Sequence, residues 1–323
     1  MRFRALQLDS SNRRWRQIFQ EYWPAYRRWY LKDGDAARPS LAQCEYALAR
    51  YMPELTPLWK ELTQEARGDE TAARMLSLYR PPPYIFGCSQ AAWVRDEPFL
   101  IRNYDYSPAL AEGIILHTKW LDTKVMGMSD CLWGLVDGVN EHGLAVSLTF
   151  GGRKESGDGF GIPLILRYVL QIATSAADAV ETLRRVPSHM SYNVLVLDGA
   201  GEHALVELSP DRPVKVTAAK LSTNHQRPDD WPQYAESTRS LERAEFIAGR
   251  LADENETPKH FVERFSEDPL YNKGFEQAFG TLYTAIYRPD ACEASYLWPD
   301  ATLSQTCSNF QEIALAIEYR TTT

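Results

Sequence analysis

Cys88 stands in Phe86-Gly87-Cys88-Ser89-Gln90, and Arg102-Asn103-Tyr104-Asp105 follows shortly after it. Farther along come Asp137-Gly138-Val139-Asn140-Glu141-His142-Gly143-Leu144 and Ser222-Thr223-Asn224-His225. A thiol that attacks a carbonyl needs a base, donors for the oxyanion and a group that orients it. No histidine close to Cys88 in sequence offers itself as the base. Gly87, small and flexible, would let the Cys88 sulfur attack its own preceding carbonyl. Hydrolysis of that ester would leave Cys88 as a new N-terminus. An α-amine has a reference pKa of about 8, which suits a general base near neutral pH. Asn140 and Asn224 are candidate oxyanion donors, through a side-chain amide or a backbone N–H. Arg102 and Asp105 lie on an alternating segment, and their odd separation faces them oppositely on an ideal strand. For both to reach one site, the strand must end or bulge near Tyr104. Taken singly, each feature has a plainer reading: a buried structural thiol, a surface ion pair, or asparagines in turns.

Together the stretches resemble the acyl-coenzyme A:6-aminopenicillanate acyltransferase family, which belongs with the choloylglycine hydrolases among N-terminal-nucleophile hydrolases. The resemblance runs in order through Gly87-Cys88, Arg102 to Asp105, Asp137 to Leu144, Gly159-Phe160-Gly161-Ile162-Pro163, Tyr192-Asn193-Val194-Leu195 and Thr223-Asn224-His225. It implies an α+β fold, a four-layer αββα sandwich with a helical N-terminal segment. Residues 1–87 would be the segment released by self-cleavage, and 88–323 the catalytic domain. It also implies Cys88 as nucleophile, Arg102 and Asp105 orienting the amine and thiol, and Asn140 and Asn224 lining the oxyanion hole. Arg239, in Ser237-Thr238-Arg239, is the nearest match to a later arginine, although its spacing to the following Arg243 is off by one. The family usually carries threonine after the cysteine, where this chain has Ser89. The implied reaction is amide cleavage or acyl transfer through a Cys88 thioester. It needs no cofactor, and its partner is a small-molecule amide or acyl substrate, acyl-coenzyme A among the candidates.

The elements that must position these residues are partly legible. Trp15, Ile18, Phe19, Tyr22, Trp23 and Tyr26 recur at helical spacing before Cys88. Further helices are expected over 41–51 and after Pro53, and Pro81-Pro82-Pro83 then breaks regular structure. Beyond Cys88 the pattern turns to strands: 98–106, then hairpins over 132–150 and 192–208, with a strand over 214–218. A helix pair over 164–185 lies between the hairpins, its second member opened by a cap at Ser175. Helical material is expected over 239–251 and within 258–278, and a last hairpin over 281–298.

With 323 residues, 44% hydrophobic and 24% charged, the chain can bury a large core. A net charge of −8 and the lack of a basic aromatic run argue against nucleic acid. No apolar run of membrane-spanning length occurs, and the N-terminus lacks the apolar core of a signal peptide. Five cysteines, odd in number and widely spaced, suggest reduced thiols and a cytoplasmic protein. The six histidines show no metal-ligand spacing. An oligomer is compatible with all of this. Two alternatives remain at this level: a papain-like thiol hydrolase using Cys88 and His225, and a catalytically silent binding protein on the same fold.

Overall fold

The computed structural model describes residues 1–8, 13–277 and 279–319. The chain opens on a strand, β1 (Arg2–Leu8), which precedes the expected helices and carries no strong sequence signal. Then come α1 (Arg13–Tyr30), α2 (Leu41–Tyr51), α3 (Thr56–Glu65) and α4 (Glu70–Leu76). The aromatic stripe of α1 does pack inward. Trp15 and Phe19 are buried, and Trp15, Phe19 and Trp23 stack one helical turn apart at 5.4 and 5.1 Å. The helix α2 starts on a reciprocal cap between Ser40 and Gln43.

Strands β2 (Gly87–Trp93), β3 (Phe99–Tyr106), β4 (Ile114–Trp120), β5 (Thr123–Asp130), β6 (Gly134–Asn140) and β7 (Leu144–Phe150) follow. Next are α5 (Ile162–Ile172), α6 (Ala176–Arg185), β8 (Tyr192–Asp198), β9 (His203–Leu208), β10 (Lys215–Thr217) and the short β11 (Leu221–Ser222). The C-terminal part holds α7 (Pro232–Ser237), α8 (Ser240–Ala252) and α9 (Pro258–Arg264). It finishes with β12 (Lys273–Gly274), β13 (Phe279–Arg288), β14 (Glu293–Trp298), β15 (Ala301–Thr306) and β16 (Ile313–Ala316). The helix expected within 258–278 ends at Arg264, and Ala278 lies outside the described residues.

The strands form two sheets. One has nine strands in the order β10-β9-β8-β7-β6-β5-β4-β1-β16; the other runs β11-β2-β3-β13-β14-β15, with β12 on β13. The sheets pack face to face, β2 and β3 against β7, and β13 and β14 against β6. Helices α5 and α6 cover the outer face of the first sheet. β6 and β7 are therefore buried on both faces, and α5 is buried along nearly its whole length. Helices α8 and α9 cover the second sheet, where Ile247, Phe261 and Phe265 close on Ala91, Trp93, Phe99 and Ile101. The result is the four-layer αββα sandwich.

Two features depart from expectation. β1 is an interior strand, parallel to β4 and antiparallel to β16, so the N-terminal segment is woven into the larger sheet. Cys292 and Cys307 form a disulfide across the ends of β14 and β15, with Cα atoms 5.6 Å apart. The reading of all five cysteines as reduced thiols is thereby corrected; Cys44, Cys88 and Cys131 are free. Cys292 and Cys307 are brought together by antiparallel pairing that starts at Glu293 and Thr306, a register that sequence spacing alone does not reveal.

Candidate active site

Cys88 is the second residue of β2, and the strand alternation decides where each neighbour points. Cys88, Gln90 and Ala92 face the space between the sheets, whereas Ala91 and Trp93 face α8 and α9. On β3, Arg102 likewise faces inward. Its guanidinium is fully buried and spends its donors on four directions. Nε donates to Leu148 O at 2.8 Å, Nη1 to Asp137 and to Tyr283 Oη at 3.2 Å, and Nη2 lies 2.9 Å from Cys88 Sγ. Asp137 also accepts from Tyr283 and Tyr287. Burial works against the Arg102 cation, but Cys88, Tyr283 and Asp137 outweigh it and hold its pKa well above the ordinary value. Burial pushes the Cys88 thiol up to about 12 against the pull of Arg102, so in the uncleaved chain it is neutral at pH 7.

The other side of Cys88 is its backbone edge. β11 pairs with β2 so that Ser222 opposes Gln90, and the same register carried on two residues sets Asn224 opposite Cys88. Cys88 N donates to Asn224 Oδ1 at 3.0 Å, and Arg243 Nη2 donates to the same oxygen at 2.8 Å. Two donors on one atom fix the amide orientation. Asn224 Nδ2 is then buried without a hydrogen-bond partner among the described residues. The segment is held in place by Asn193, whose amide donates to Thr223 O and His225 O, both at 3.1 Å.

Asp105 faces the helix side, opposite Gly87 in the β2–β3 register. It accepts from Thr281 Oγ1 at 2.7 Å and lies 3.5 Å from Arg243 Nη1. Burial raises its pKa, and Arg243, Thr281 and Arg102 oppose the rise. β3 itself runs on regularly, and the expected irregularity sits on its neighbour β13, between Thr281 and Tyr283. Arg102 and Asp105 therefore do lie on opposite faces. They reach one site because Cys88 stands near the end of β2, with its sulfur on one face and Arg243 closing on its backbone from the other.

The structure brings Cys88, Arg102, Asp105 and Asn224 together, but neither Asn140 nor Arg239. The Asn140 amide donates to Leu170 O and Ala173 O at the end of α5, and its Oδ1 accepts from His142 N and Leu144 N. It locks the β6–β7 turn, and its side-chain amide has no donor left for an oxyanion. Arg239 precedes α8 in a left-handed backbone conformation, φ 51°, and its exposed guanidinium pairs with Glu242 and Asp268. Arg243, one turn into α8, takes the inner position, donating to Cys88 O and Ser89 Oγ, both at 2.8 Å. The signal for it was the buried face Ser240, Arg243, Ile247, at i, i+3 and i+7. His225 also departs from the papain-like alternative. Its Nδ1 faces Ser240 Oγ at 2.8 Å and Thr223 Oγ1 at 3.2 Å, and Cys88 begins a strand rather than a helix.

The fold and the buried thiol framed by two arginines, a carboxylate and an amide define an αββα protein built around a cysteine. The acyl-coenzyme A:6-aminopenicillanic acid acyl-transferase family model matches residues 93–302, and the chain belongs to that family. The match spans Arg102, Asp105, Asn224 and Arg243 and begins after Cys88. Several solved structures are also similar. A mutant of the conjugated bile acid hydrolase from Clostridium perfringens is 12% identical, with 73% of this chain and 98% of that one covered and a TM-score of 0.48. For penicillin V acylase from Agrobacterium tumefaciens the values are 15%, 68%, 86% and 0.48. For the Caenorhabditis elegans ortholog of N-acylethanolamine-hydrolyzing acid amidase they are 16%, 72%, 100% and 0.46. No curated protein matches the chain.

Proposed function

We propose that the protein cleaves itself between Gly87 and Cys88 and then uses Cys88 as an N-terminal nucleophile on a linear amide. Residues 1–87 become a small chain and 88–323 the catalytic chain. In maturation Sγ attacks the Gly87 carbonyl, the peptide C–N bond breaks, and the acyl group moves from nitrogen to sulfur. Water then cleaves the thioester, leaving a Gly87 carboxylate and a free Cys88 α-amine. In turnover this amine takes the thiol proton as Sγ attacks the substrate carbonyl, and returns it to the departing amine. Water, or an acceptor amine, resolves the acyl thioester; an acyl-coenzyme A could supply the acyl group in the transfer direction.

The observation that carries this reading is Asn224. Its Oδ1 accepts from the nitrogen that would become the α-amine, while its Nδ2 is buried without a partner among the described residues. A buried unpaired donor is costly, and an oxyanion beside Cys88 would satisfy it. Arg102, 2.9 Å from Cys88 Sγ, would hold the thiolate. Arg243 and Asp105 hold the strand end where the amine is released. Gly87 has its own reason to be glycine: a Cβ there would lie 2.0 Å from Phe279 Cζ, so the ring closes directly over the scissile residue.

Intact-mass measurement of fresh protein tests the proposal. Fragments 1–87 and 88–323 are expected from wild type, and a single inactive chain from Cys88→Ala. A wild type that is fully active on amides as one uncut chain overturns it.

A further inference from the structure

A cavity of about 180 Å³ lies beside Phe86, lined by Tyr22 and Trp29 of α1, by Tyr84 and Tyr106, and at its base by Glu112 and Asp130. Tyr84 and Tyr106 also pack on Phe86, ring centroids 5.6 and 6.3 Å away, and Tyr104, the cross-strand partner of Cys88, packs on it at 5.6 Å. Phe86 thus links the cavity wall to the surroundings of Cys88, and it is fully buried.

The carboxylates at the base are unusual. Among the described residues no lysine or arginine pairs with either one. Glu112 accepts from Tyr26 Oη, from Ser129 Oγ at 2.7 Å and from Leu132 N at 2.7 Å; Asp130 accepts from Cys131 N at 2.8 Å and lies 3.0 Å from the same Tyr26 hydroxyl, whose single proton serves one carboxylate at a time. All these donors are neutral. Burial, with Asp130 adding to it, lifts the Glu112 carboxyl to about 7. The Tyr84 hydroxyl is buried and also has no partner among the described residues. Arg102 acts on Asp130 without a hydrogen bond to it and is committed to Asp137 and Cys88. Near pH 7 the pair therefore retains a proton, whose place an ammonium entering the aromatic-walled cavity would take.

Resting on the reading that Cys88 becomes acylated after cleavage, we infer that this cavity receives a protonated amine at the far end of the substrate's acyl group. In self-cleavage the acyl donor is the chain ending in Phe86-Gly87, so the acyl direction from Cys88 leads along Phe86. Once the bond is cut, Phe86 belongs to a free chain end, and its withdrawal joins the cavity to Cys88. Aromatic faces attract an ammonium, and Glu112 and Asp130 supply its charge partners. An acyl chain ending in a carboxylate would bring a further negative charge to the same place. Tyr22, Tyr26, Trp29 and Tyr84 all come from the small chain, so both fragments shape the specificity.

The test uses the processed two-chain protein and p-nitroanilides of β-alanyl, 4-aminobutyryl and 6-aminohexanoyl groups. Each is set against its amine-free acyl counterpart, with the adipyl anilide as the anionic control. At least one aminoacyl anilide should exceed its neutral counterpart by about tenfold or more in kcat/KM, and adipyl should be the poorest. Glu112→Gln with Asp130→Asn should collapse that ratio. As a second arm on unmutated protein, pentylammonium should slow alkylation of Cys88 by iodoacetamide at concentrations where pentan-1-ol does not. Equal or better turnover of the neutral acyl groups overturns the inference while leaving the Cys88 mechanism standing. Identical behaviour of pentylammonium and pentanol does the same when no anilide is turned over. A protein that neither self-cleaves nor loses activity in Cys88→Ala sinks the underlying reading instead.

Discussion

In the proposed mechanism Asn224 has two separable tasks, and two substitutions pull them apart. Asn224→Ala removes the unpaired Nδ2 donor, and one preorganised oxyanion donor contributes about 10² to 10³ in kcat. It also strands two buried donors, Cys88 N and Arg243 Nη2, which now share Oδ1. Each unsatisfied group costs about 1 to 3 kcal/mol, so the alanine variant should lose roughly 2 to 6 kcal/mol of stability. Asn224→Asp keeps an acceptor for both donors and sets a carboxylate beside Arg243, so it should be the more stable of the two. Its second oxygen, however, faces the developing oxyanion. Like charges about 4 Å apart repel by roughly 4 kcal/mol at an effective dielectric constant near 20, on top of the lost donor. The two orders therefore cross: alanine is less stable but more active, aspartate more stable but less active. Denaturant midpoints give the stabilities. The burst of Cys88 acylation by a p-nitrophenyl ester gives the chemistry without a known natural substrate. An alanine variant within threefold of wild type, or an aspartate variant faster than alanine, refutes the oxyanion assignment.

Arg243→Ala should leave Asp105 as an uncompensated buried charge and cost about 3 to 5 kcal/mol with loss of turnover, whereas Arg239→Ala, at an exposed ion pair, should stay within about 1 kcal/mol in thermal unfolding and remain active. Cys292 and Cys307 are 15 residues apart, so Cys292→Ser with Cys307→Ser should lower stability by about 3 kcal/mol in urea titration, the value for a loop of that length. Glu112 is held above its ordinary 4.5, at about 7, by burial. The folded state therefore binds a proton that the unfolded state has released, and its contribution is complete below about pH 4.5 and lost as pH rises through 7. Glu112→Gln should flatten that part of the stability–pH curve; an unchanged slope contradicts the shift.

The layered α+β character was legible because its signals are local. The α1 stripe, the Ser175 cap and the hairpin over 132–150 each report on neighbours close in sequence. Cys88, Arg102, Asp105 and Asn224 could be picked out as candidates through motif order, but the geometry that brings them together could not. Asp105 meets Arg243 from the helix face, and Asn224 meets Cys88 through the register of β11 on β2; both contacts cross more than a hundred residues. Asn140 misled because a turn-locking asparagine and an oxyanion donor look alike until the α5 carbonyls are seen beside it. Arg239 misled because helix phase, not motif spacing, decides which arginine turns inward. Among the strands missed, β1, β4 and β5 are buried among other strands and read as mixed apolar sequence, β15 and β16 are sheet edges with little apolar pattern, and pairing partners as far apart as Arg2 and Ala316 leave no local trace.

The place of β1 between β4 and β16 has a consequence for how the protein can be remade once lost. Before scission, the strand is tethered to its partners, and folding is a one-body event. After the proposed scission at Gly87–Cys88, the same ladder would join two polypeptides, and the native state would stay assembled only because its hydrogen bonds and the aromatic face of α1 were formed earlier. A mature sample unfolded in denaturant must then find its strand by collision. Its refolding should become second order in protein, with a yield that falls on dilution. The uncleaved Cys88→Ala chain should recover at a rate independent of concentration. Maturation would thus convert a reversible fold into a kinetically held one.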